Sequence, residues 1–503
     1  LIWLRKALMA CVLAMALPSC EKLLDTESRH FVGEEDKWRD INDARASLMG
    51  IYGLVRTALA EDNAHWLYGD LRGGDFIAPN KRELQDVVDG NLLSSNKLMR
   101  NLSNWRKFYA AIHAANLFIA RSGQIVERDP QYTEMNHRID VAQAHALKGF
   151  CYFLMARIWG EVPIWDKAYE GTFPAIGTSE EKVVLAYAEN ELKAALGVLP
   201  YRYGFINDEI YPVEKYHGHT FAEWDGVLFN RLSVNAVLAH LCAWSGRYME
   251  ASVYAGFVLA NAAKSVATYA PSATFTLSEG YFFNSANSHL VAFPFKWSAM
   301  EASFGGHIEQ LTLAAPLVNK PSPEMYVPIE RIMQVFHENG DVRFHVDNTG
   351  QTVSSYFSEL GGTRPIFSKI KVIRGGTTDG SFPLFSSVMV FSRLEDMALL
   401  RAEALAVLGD SEGIARGTLN QIRRSRGLGE ADMANDLIDE IFAERRRELM
   451  GEGHRWFDQV RYHKIKQNDP AFLQLIADKG IFWPLAEEVL ANNSLLQQNP
   501  YWK

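Results

Sequence analysis

IDVAQAHALKGFCYFLMARIWGEVPIW, residues Ile139 to Trp165, sets the architecture of this chain. Ile139, Ala142, Ala146, Phe150, Phe153 and Arg157 recur at steps of three and four, which places them on one face of a helix. The helix stops at Gly160 and the chain turns through Pro163. The same period appears on either side. Ile41, Ala44, Leu48, Tyr52, Val55 and Leu59 share one face, and Trp105, Phe108, Ile112, Asn116 and Ile119 share another. Val184, Ala188, Glu191, Ala195 and Leu199 form a fourth such row. Further helices are predicted at about 227–245, 248–261, 393–408, 412–426 and 436–451. Strand signals are few: Leu290 to Trp297, and Ser368 to Arg374 facing Val388 to Ser392 across a loop rich in Gly, Thr and Asp. Irregular stretches at roughly 62–104, 200–226, 262–325 and 340–385 hold much of the Gly, Pro, Ser and aromatic content. Loops of that length in a compact protein are usually functional or disordered.

The helices come in pairs that share a kind of joint. Trp244-Ser245-Gly246-Arg247-Tyr248 runs into Ala251, and Leu408-Gly409-Asp410 runs into Ile414 and Ala415. Glycine ends the first helix because it adopts the left-handed C-cap conformation, and alanine lets the second helix pack closely. The joint resembles that of the tetratricopeptide repeat, whose period is about 34 residues. Gly160, Gly246 and Gly409, however, lie 86 and 163 residues apart, neither a multiple of that period. A regular solenoid is excluded. Helical pairs with large insertions remain, and the insertions are where function is expected.

Composition narrows the class. Hydrophobic residues at 48% and charged residues at 22% suit a globular protein, and a formal charge of −9 opposes nucleic acid, whose phosphates need a basic stripe. Ala7 to Leu17 is an apolar run of 11 residues behind Arg5 and Lys6. A membrane helix needs about 20, so the run reads as a signal-peptide core. Leu17-Pro18-Ser19-Cys20 resembles the lipobox cut by bacterial lipoprotein signal peptidase, which makes Cys20 the expected lipidation site, although Pro18 departs from the usual small or β-branched residue. Cys151 and Cys242 sit inside apolar helical patterns and read as small hydrophobes, with no disulfide framework and no paired-cysteine zinc spacing.

Two charged stretches invite a catalytic reading. Glu444 to Arg461 reads ERRRELMGEGHRWFDQVR, with carboxylates and a histidine that can supply general acid and base. Glu444, Glu448 and Glu452 repeat every four residues beside Arg445, Arg447 and Arg455, the spacing of ion pairs on a helix, so the structural reading is preferred. His217-Gly218-His219 lacks the third and fourth ligands of a zinc site and reads as a loop. No phosphate-cradling glycine signature is present. Neither a catalytic set, a metal set nor a cofactor is assigned.

Ile139–Trp165, Glu444–Arg461 and the closing WPLAEEVLANNSLLQQNPYWK, in this order after a lipobox, resemble the SusD/RagB family of surface lipoproteins from Bacteroidetes. Trp105-Arg106-Lys107-Phe108-Tyr109 leading to Ala115-Asn116, and Leu400-Arg401-Ala402-Glu403-Ala404 leading to Gly409-Asp410, add to the resemblance, which covers nearly all of the chain after Cys20. It implies a mainly α fold of about four tetratricopeptide-like helix pairs, with a large irregular insertion and C-terminal lobe containing little β. The expected layout is a signal peptide at 1–19, a helical-pair region at 20–262, and at 263–503 the irregular lobe, the last helical pair and the C-terminal motif, all one continuous fold. The resemblance also implies a lid over a SusC-like, TonB-dependent outer-membrane transporter, with the protein lipid-anchored on the outer membrane and facing outward. In the family the Glu444–Arg461 motif is architectural.

Sugar rings stack on flat apolar faces while their hydroxyls need Arg, Asp, Asn or Glu alongside, so aromatics outside helices are the ligand candidates. Two insertions offer that mixture. The first runs from His65-Trp66-Leu67-Tyr68 through Asp70, Arg72 and Asp75 to Asn91; the second runs from Trp297 through Phe304, Gly305, Gly306, His307 and Glu309 to Gln310. Family glycan binders draw their contacts from the corresponding segments. Trp66, Tyr68, Arg72, Asp75, Trp297, Phe304, His307 and Glu309 are therefore the candidate ligand residues, Trp297 as an exposed rim residue. The function read here is capture of an oligosaccharide and delivery to the transporter. Alternatives are an oligopeptide ligand, a helical scaffold binding a protein on its concave face, and a lipid-anchored glycoside hydrolase. The last lacks an evident loop carboxylate pair.

Overall fold

The computed structural model describes residues 38–169, 171, 173–283, 288–294, 302–377, 380–409 and 412–503. The signal segment, Cys20 and Trp297 lie outside the described residues. The longer helices are α1 (Ile41–Ala60), α2 (Arg106–Arg121), α3 (Glu134–Trp159), α4 (Glu181–Leu196), α5 (Arg231–Trp244), α6 (Tyr248–Asn261), α7 (Leu394–Leu408), α8 (Glu412–Ser425), α9 (Leu437–Glu448) and α10 (Arg455–Lys466). Consecutive helices pack as α1 on α2, α3 on α4, α5 on α6 and α7 on α8, and α2 on α3, α4 on α5 and α6 on α7 join the pairs into one array. The fold is mainly α with small strand pairs, as the sequence implies.

Local signals start and stop these helices where the pattern predicts. Asp40 accepts hydrogen bonds from the Asn42 and Asp43 amides and caps α1, Thr133 caps α3, and Asn230 forms a capping box with Ser233 at α5. Gly246 and Gly409 take φ of +73° and +71° at the α5–α6 and α7–α8 joints, the left-handed geometry the pairs require. One expectation changes. From Phe150 to Trp159 every residue of α3 is buried, so its end is enclosed on all sides rather than on one face. Arg157 tolerates that enclosure by lying 4.1 Å over the Phe457 ring and 4.5 Å over Phe153. Cys151 and Cys242 are buried free thiols.

The irregular lobe carries short antiparallel pairs: β1 (Val291–Phe293), β2 (Phe344–Val346) with β3 (Thr352–Ser354), β4 (Phe357–Ser358) with β5 (Ile366–Phe367), β6 (Ile373–Gly375) with β7 (Leu384–Phe385), and β8 (Met389–Ser392). The expected pairing of Ser368–Arg374 with Val388–Ser392 is corrected. β8 pairs with β1, about a hundred residues earlier, while Ile373 and Gly375 pair with Phe385 and Leu384. The stretch 62–104 is likewise not without structure, since it contains helices Arg82–Val88 and Lys97–Leu102.

The Glu444–Arg461 charges pair differently from the expected ladder along one helix. Glu444, Glu448 and Glu452 are buried and face arginines and a lysine from distant segments. Glu444 accepts from Arg343 at 2.7 Å. Glu448 accepts from Arg393, Arg426 and Arg343 at 2.7–3.0 Å. Glu452 accepts from Arg393 Nε at 2.9 Å and from the Lys369 ammonium. Arg455 pairs with Asp75 at 3.1 Å, and helix α9 ends at Glu448, before Glu452. Glu444 keeps a pairing with Arg447 within α9, at 2.7 Å, and Asp458 one with Arg461 within α10, at 2.9 Å. The nearby arginines hold Glu444 at about 2 and Asp458 at about 2 against the burial that opposes them. A set of carboxylates so fully occupied is a joint between the lobe and the helices.

Buried histidines add a pH dependence. Burial pushes His65 and His307 down to about 3, and His289 and His454 down to about 4, from an ordinary value near 6.5. Below pH 6.5 the unfolded chain therefore takes up four protons that the folded chain refuses, which removes stability as pH falls. Asp70 and Glu309 act in the opposite sense, because burial raises both to about 7 and the folded chain keeps protons that the unfolded chain has released. Four outweigh two. Stability against urea should rise from pH 4.5 to 6.5, more steeply in the lower part of that window, where the histidines of the unfolded chain are fully protonated, and level off towards pH 6.5. A flat or falling unfolding midpoint over that window would contradict these assignments.

Candidate functional site

Helix α1 ends beside a cleft. Arg56, Thr57 and Ala60 of its last turns, then Glu61, Asp62 and Asn63, form one wall, and Gly305, Gly306 and Gln310 form the other, enclosing about 410 Å³. Asp62 and Asn63 both take left-handed backbone, with φ of +58° and +56°. Two such residues in succession cost of order 1–3 kcal/mol each for most side chains, less for Asp and Asn, and such strain gathers at functional sites. The bend is held from outside: Lys107 lies 3.0 Å from Glu61 and 3.4 Å from Asp62, and Asn101 donates to Asp62 at 3.1 Å. Asn63 donates to Gln310 Oε1 at 2.9 Å across the cleft. Asn63 is 5% exposed, and its Oδ1 has no hydrogen-bond partner among the described residues. A buried amide oxygen left so is costly unless a ligand or water meets it.

The opposite wall is fixed by a buried relay. His307 contacts Ser303 Oγ at 3.0 Å through Nε2 and Ser387 Oγ at 2.9 Å through Nδ1, and Ser387 donates to Glu309 at 2.8 Å. Val372 N–H donates to the other Glu309 oxygen at 3.1 Å. Ser303 also exchanges backbone hydrogen bonds with Phe385 of β7, at 2.9 and 2.8 Å. Beside them Phe304 is 37% exposed, its ring stacked on Phe385 at 6.4 Å. The cleft thus offers amides, carboxylates and a guanidinium, with the exposed Phe304 one residue before its Gly305.

The chain is 43% identical to a SusD superfamily protein of solved structure from Bacteroides thetaiotaomicron, covering 93% of this chain and 99% of that one with a TM-score of 0.84. The chain belongs to the SusD family. The family's sequence model matches residues 384–476, which hold helices α7 to α10. "SusD-like protein P38" of Formosa agariphila is 25% identical over 96% of each chain. A structure titled SusD-like carbohydrate binding protein, from Bacteroides vulgatus, shares the fold at a TM-score of 0.62 and 19% identity, over 84% of this chain and 83% of that one. SusD-family proteins are nutrient-binding proteins.

In this SusD-family chain the candidates of the first insertion are interior residues. Trp66 and Tyr68 are 3% and 4% exposed, and Tyr68 donates to the Leu102 carbonyl at 2.7 Å between the rings of Trp159 and Trp483. Neither ring keeps a face for a sugar. Arg72 lies 4.2 Å over Trp456 and donates to the Gly480 carbonyl at 2.8 Å. Asp75, also buried, is shared by Arg446, Arg455 and Arg331. These four residues fasten the insertion to the lobe and the C-terminal motif, and as ligand contacts they are corrected to packing. His307 and Glu309 are fully buried and position the rim rather than touch the cleft's contents. Phe304 alone among the described candidates is exposed, one residue before the Gly305 that lines the cleft, and Trp297 lies outside the described residues. His217 and His219 part company, the first contacting Asp140 at 3.0 Å and the second Arg45 at 3.0 Å. Arg56 and Asn63 escaped sequence reading because they sit in or next to an ordinary amphipathic helix; the Asp62-Asn63 pair after α1 was the available signal.

Proposed function

We propose that this protein is a non-catalytic surface lipoprotein that captures an oligosaccharide in the cleft between Arg56–Asn63 and Gly305–Gln310 and passes it to a SusC-like, TonB-dependent transporter of the outer membrane. The observation that carries the reading is the meeting of the end of α1 with the second insertion at the buried Asn63 amide oxygen, which has no hydrogen-bond partner among the described residues. Hydroxyls supply the donors that oxygen needs. The Bacteroides vulgatus protein of the same fold, described as carbohydrate-binding, is in keeping with this ligand class. The lipobox places the anchor on Cys20, which mass spectrometry of the mature N-terminus would show as acylated and whose absence there would sink the anchor.

Gln310→Ala and Asn63→Ala should each weaken binding to the preferred oligosaccharide by about 1–3 kcal/mol in calorimetric titration, since each truncation leaves a buried polar group without its pair. Phe304→Ala should act in the same direction. Unchanged affinity in all three folded variants would move the site elsewhere. Binding of peptides but of no glycan would transfer the reading to the oligopeptide class, and release of products from polysaccharide would restore the hydrolase.

A further inference from the structure

A second groove, sharing no lining residue with the cleft, runs along the start of α2. It encloses about 610 Å³ between Tyr109 and His113 of α2, Trp165 and Phe173 of the segment after α3, and Glu488 and Asn492 near the end of the chain. The Trp165 and Phe173 rings stack at 4.4 Å with planes 26° apart, Tyr109 meets Trp165 at 5.5 Å, and His113 meets the Phe173 edge at 5.0 Å. The cluster is held from below. The Trp165 carbonyl accepts from Asn116 at 3.0 Å and from Tyr152 at 3.2 Å, its N–H donates to Tyr152 Oη at 2.7 Å, and Tyr109 donates to the Pro163 carbonyl at 2.7 Å. Phe173 nonetheless remains 40% exposed.

Polar groups surround this platform. His113 Nδ1 is buried without a hydrogen-bond partner among the described residues. Arg106, Glu488 and Asn492 are exposed at the rim, and Glu488 already holds the Asn104 amide. An aromatic floor alone would suit any apolar body. A floor ringed by a guanidinium, a carboxylate and amides suits a ring with one apolar face and hydroxyls at its edge. Glu488 disfavours a polyanion, and a purely apolar occupant would strand the rim groups.

We propose that the Tyr109–Trp165–Phe173 groove is a saccharide-binding site in its own right, with a pyranose ring stacked on Phe173 and Trp165 and its hydroxyls met by Arg106, Glu488 and Asn492. The proposal does not depend on the cleft. Its test uses the full chain carrying Asn63→Ala and Gln310→Ala, so that the groove is read alone, with cellotriose, maltotriose, mannotriose and galactotriose as probes in ligand-observed NMR and calorimetry. At least one trisaccharide should bind, lose at least fivefold in affinity on adding Phe173→Ala or Asn492→Ala, and keep its affinity with Phe173→Trp, at an unchanged melting temperature. Binding of no probe, or binding indifferent to both Phe173→Ala and Asn492→Ala, would overturn the proposal. So would peptide binding that depends on Phe173, or a dimer in light scattering that Phe173→Ala dissolves, since either would give the groove a different occupant. Loss confined to Asn63→Ala and Gln310→Ala would leave the cleft reading standing and remove this one.

Discussion

Glu448→Ala should cost about 3–5 kcal/mol, the typical loss when one partner of a buried ion pair is removed and its counter-charges stay behind. Here three guanidiniums would be left facing a void: Arg393 and Arg426 at 2.8 and 2.7 Å from one oxygen, Arg343 and Arg426 at 3.0 and 2.9 Å from the other. All four side chains are buried. The network ties α9 to the lobe through Arg343 and to the start of α7 through Arg393, so its loss loosens several elements together. Urea unfolding at pH 7 measures the effect, with Lys182→Ala, on an exposed pair with Glu180, as a control expected to change nothing measurable. A Glu448→Ala protein within 1 kcal/mol of the parent would show that the network is not what joins lobe to helices.

Gly69→Ala should be comparably damaging for a steric reason. A Cβ there would sit 2.0 Å from the Gly453 carbonyl oxygen and 2.3 Å from its carbon, and neither backbone atom can step aside as a flexible side chain would. The contact exists because the first insertion lies directly on the C-terminal motif, where Asp70 accepts the Gly453 amide at 2.6 Å and the Gly451 amide at 3.3 Å. Overpacking of this kind costs about 1–3 kcal/mol and more when backbone must shift. Gly50→Ala within α1 meets nothing within 4 Å and should be neutral or stabilising by up to about 1 kcal/mol. Equal melting temperatures for the two variants would refute this close approach.

The helical scaffold was legible because period survives in local sequence. Ala44, Leu48, Tyr52, Val55 and Leu59 all face the core as their spacing predicts, and Gly246 and Gly409 close their joints in the predicted conformation. Strand pairing was not legible. β1 and β8 are three and four residues long, every one of them buried, so no alternation marks them and their partnership spans half the lobe. The ligand candidates failed for a related reason. Trp66, Arg72 and Asp75 look like a sugar site because aromatics beside charges outside a helix match that chemistry, but burial depends on partners such as Arg446, Arg455 and Gly480, hundreds of residues away. In the second insertion Gln310 lines the cleft, and Phe304 is exposed one residue before the lining Gly305. What sequence could not supply was the junction of that segment with Asn63.

A crystal structure of the chain soaked with its preferred oligosaccharide tests the central claim most directly. The expected result is a sugar ring in the cleft against the hydrogen-bonded Asn63–Gln310 pair, with a hydroxyl on Asn63 Oδ1. A saccharide seated elsewhere at full occupancy, with this cleft holding only solvent, would contradict it.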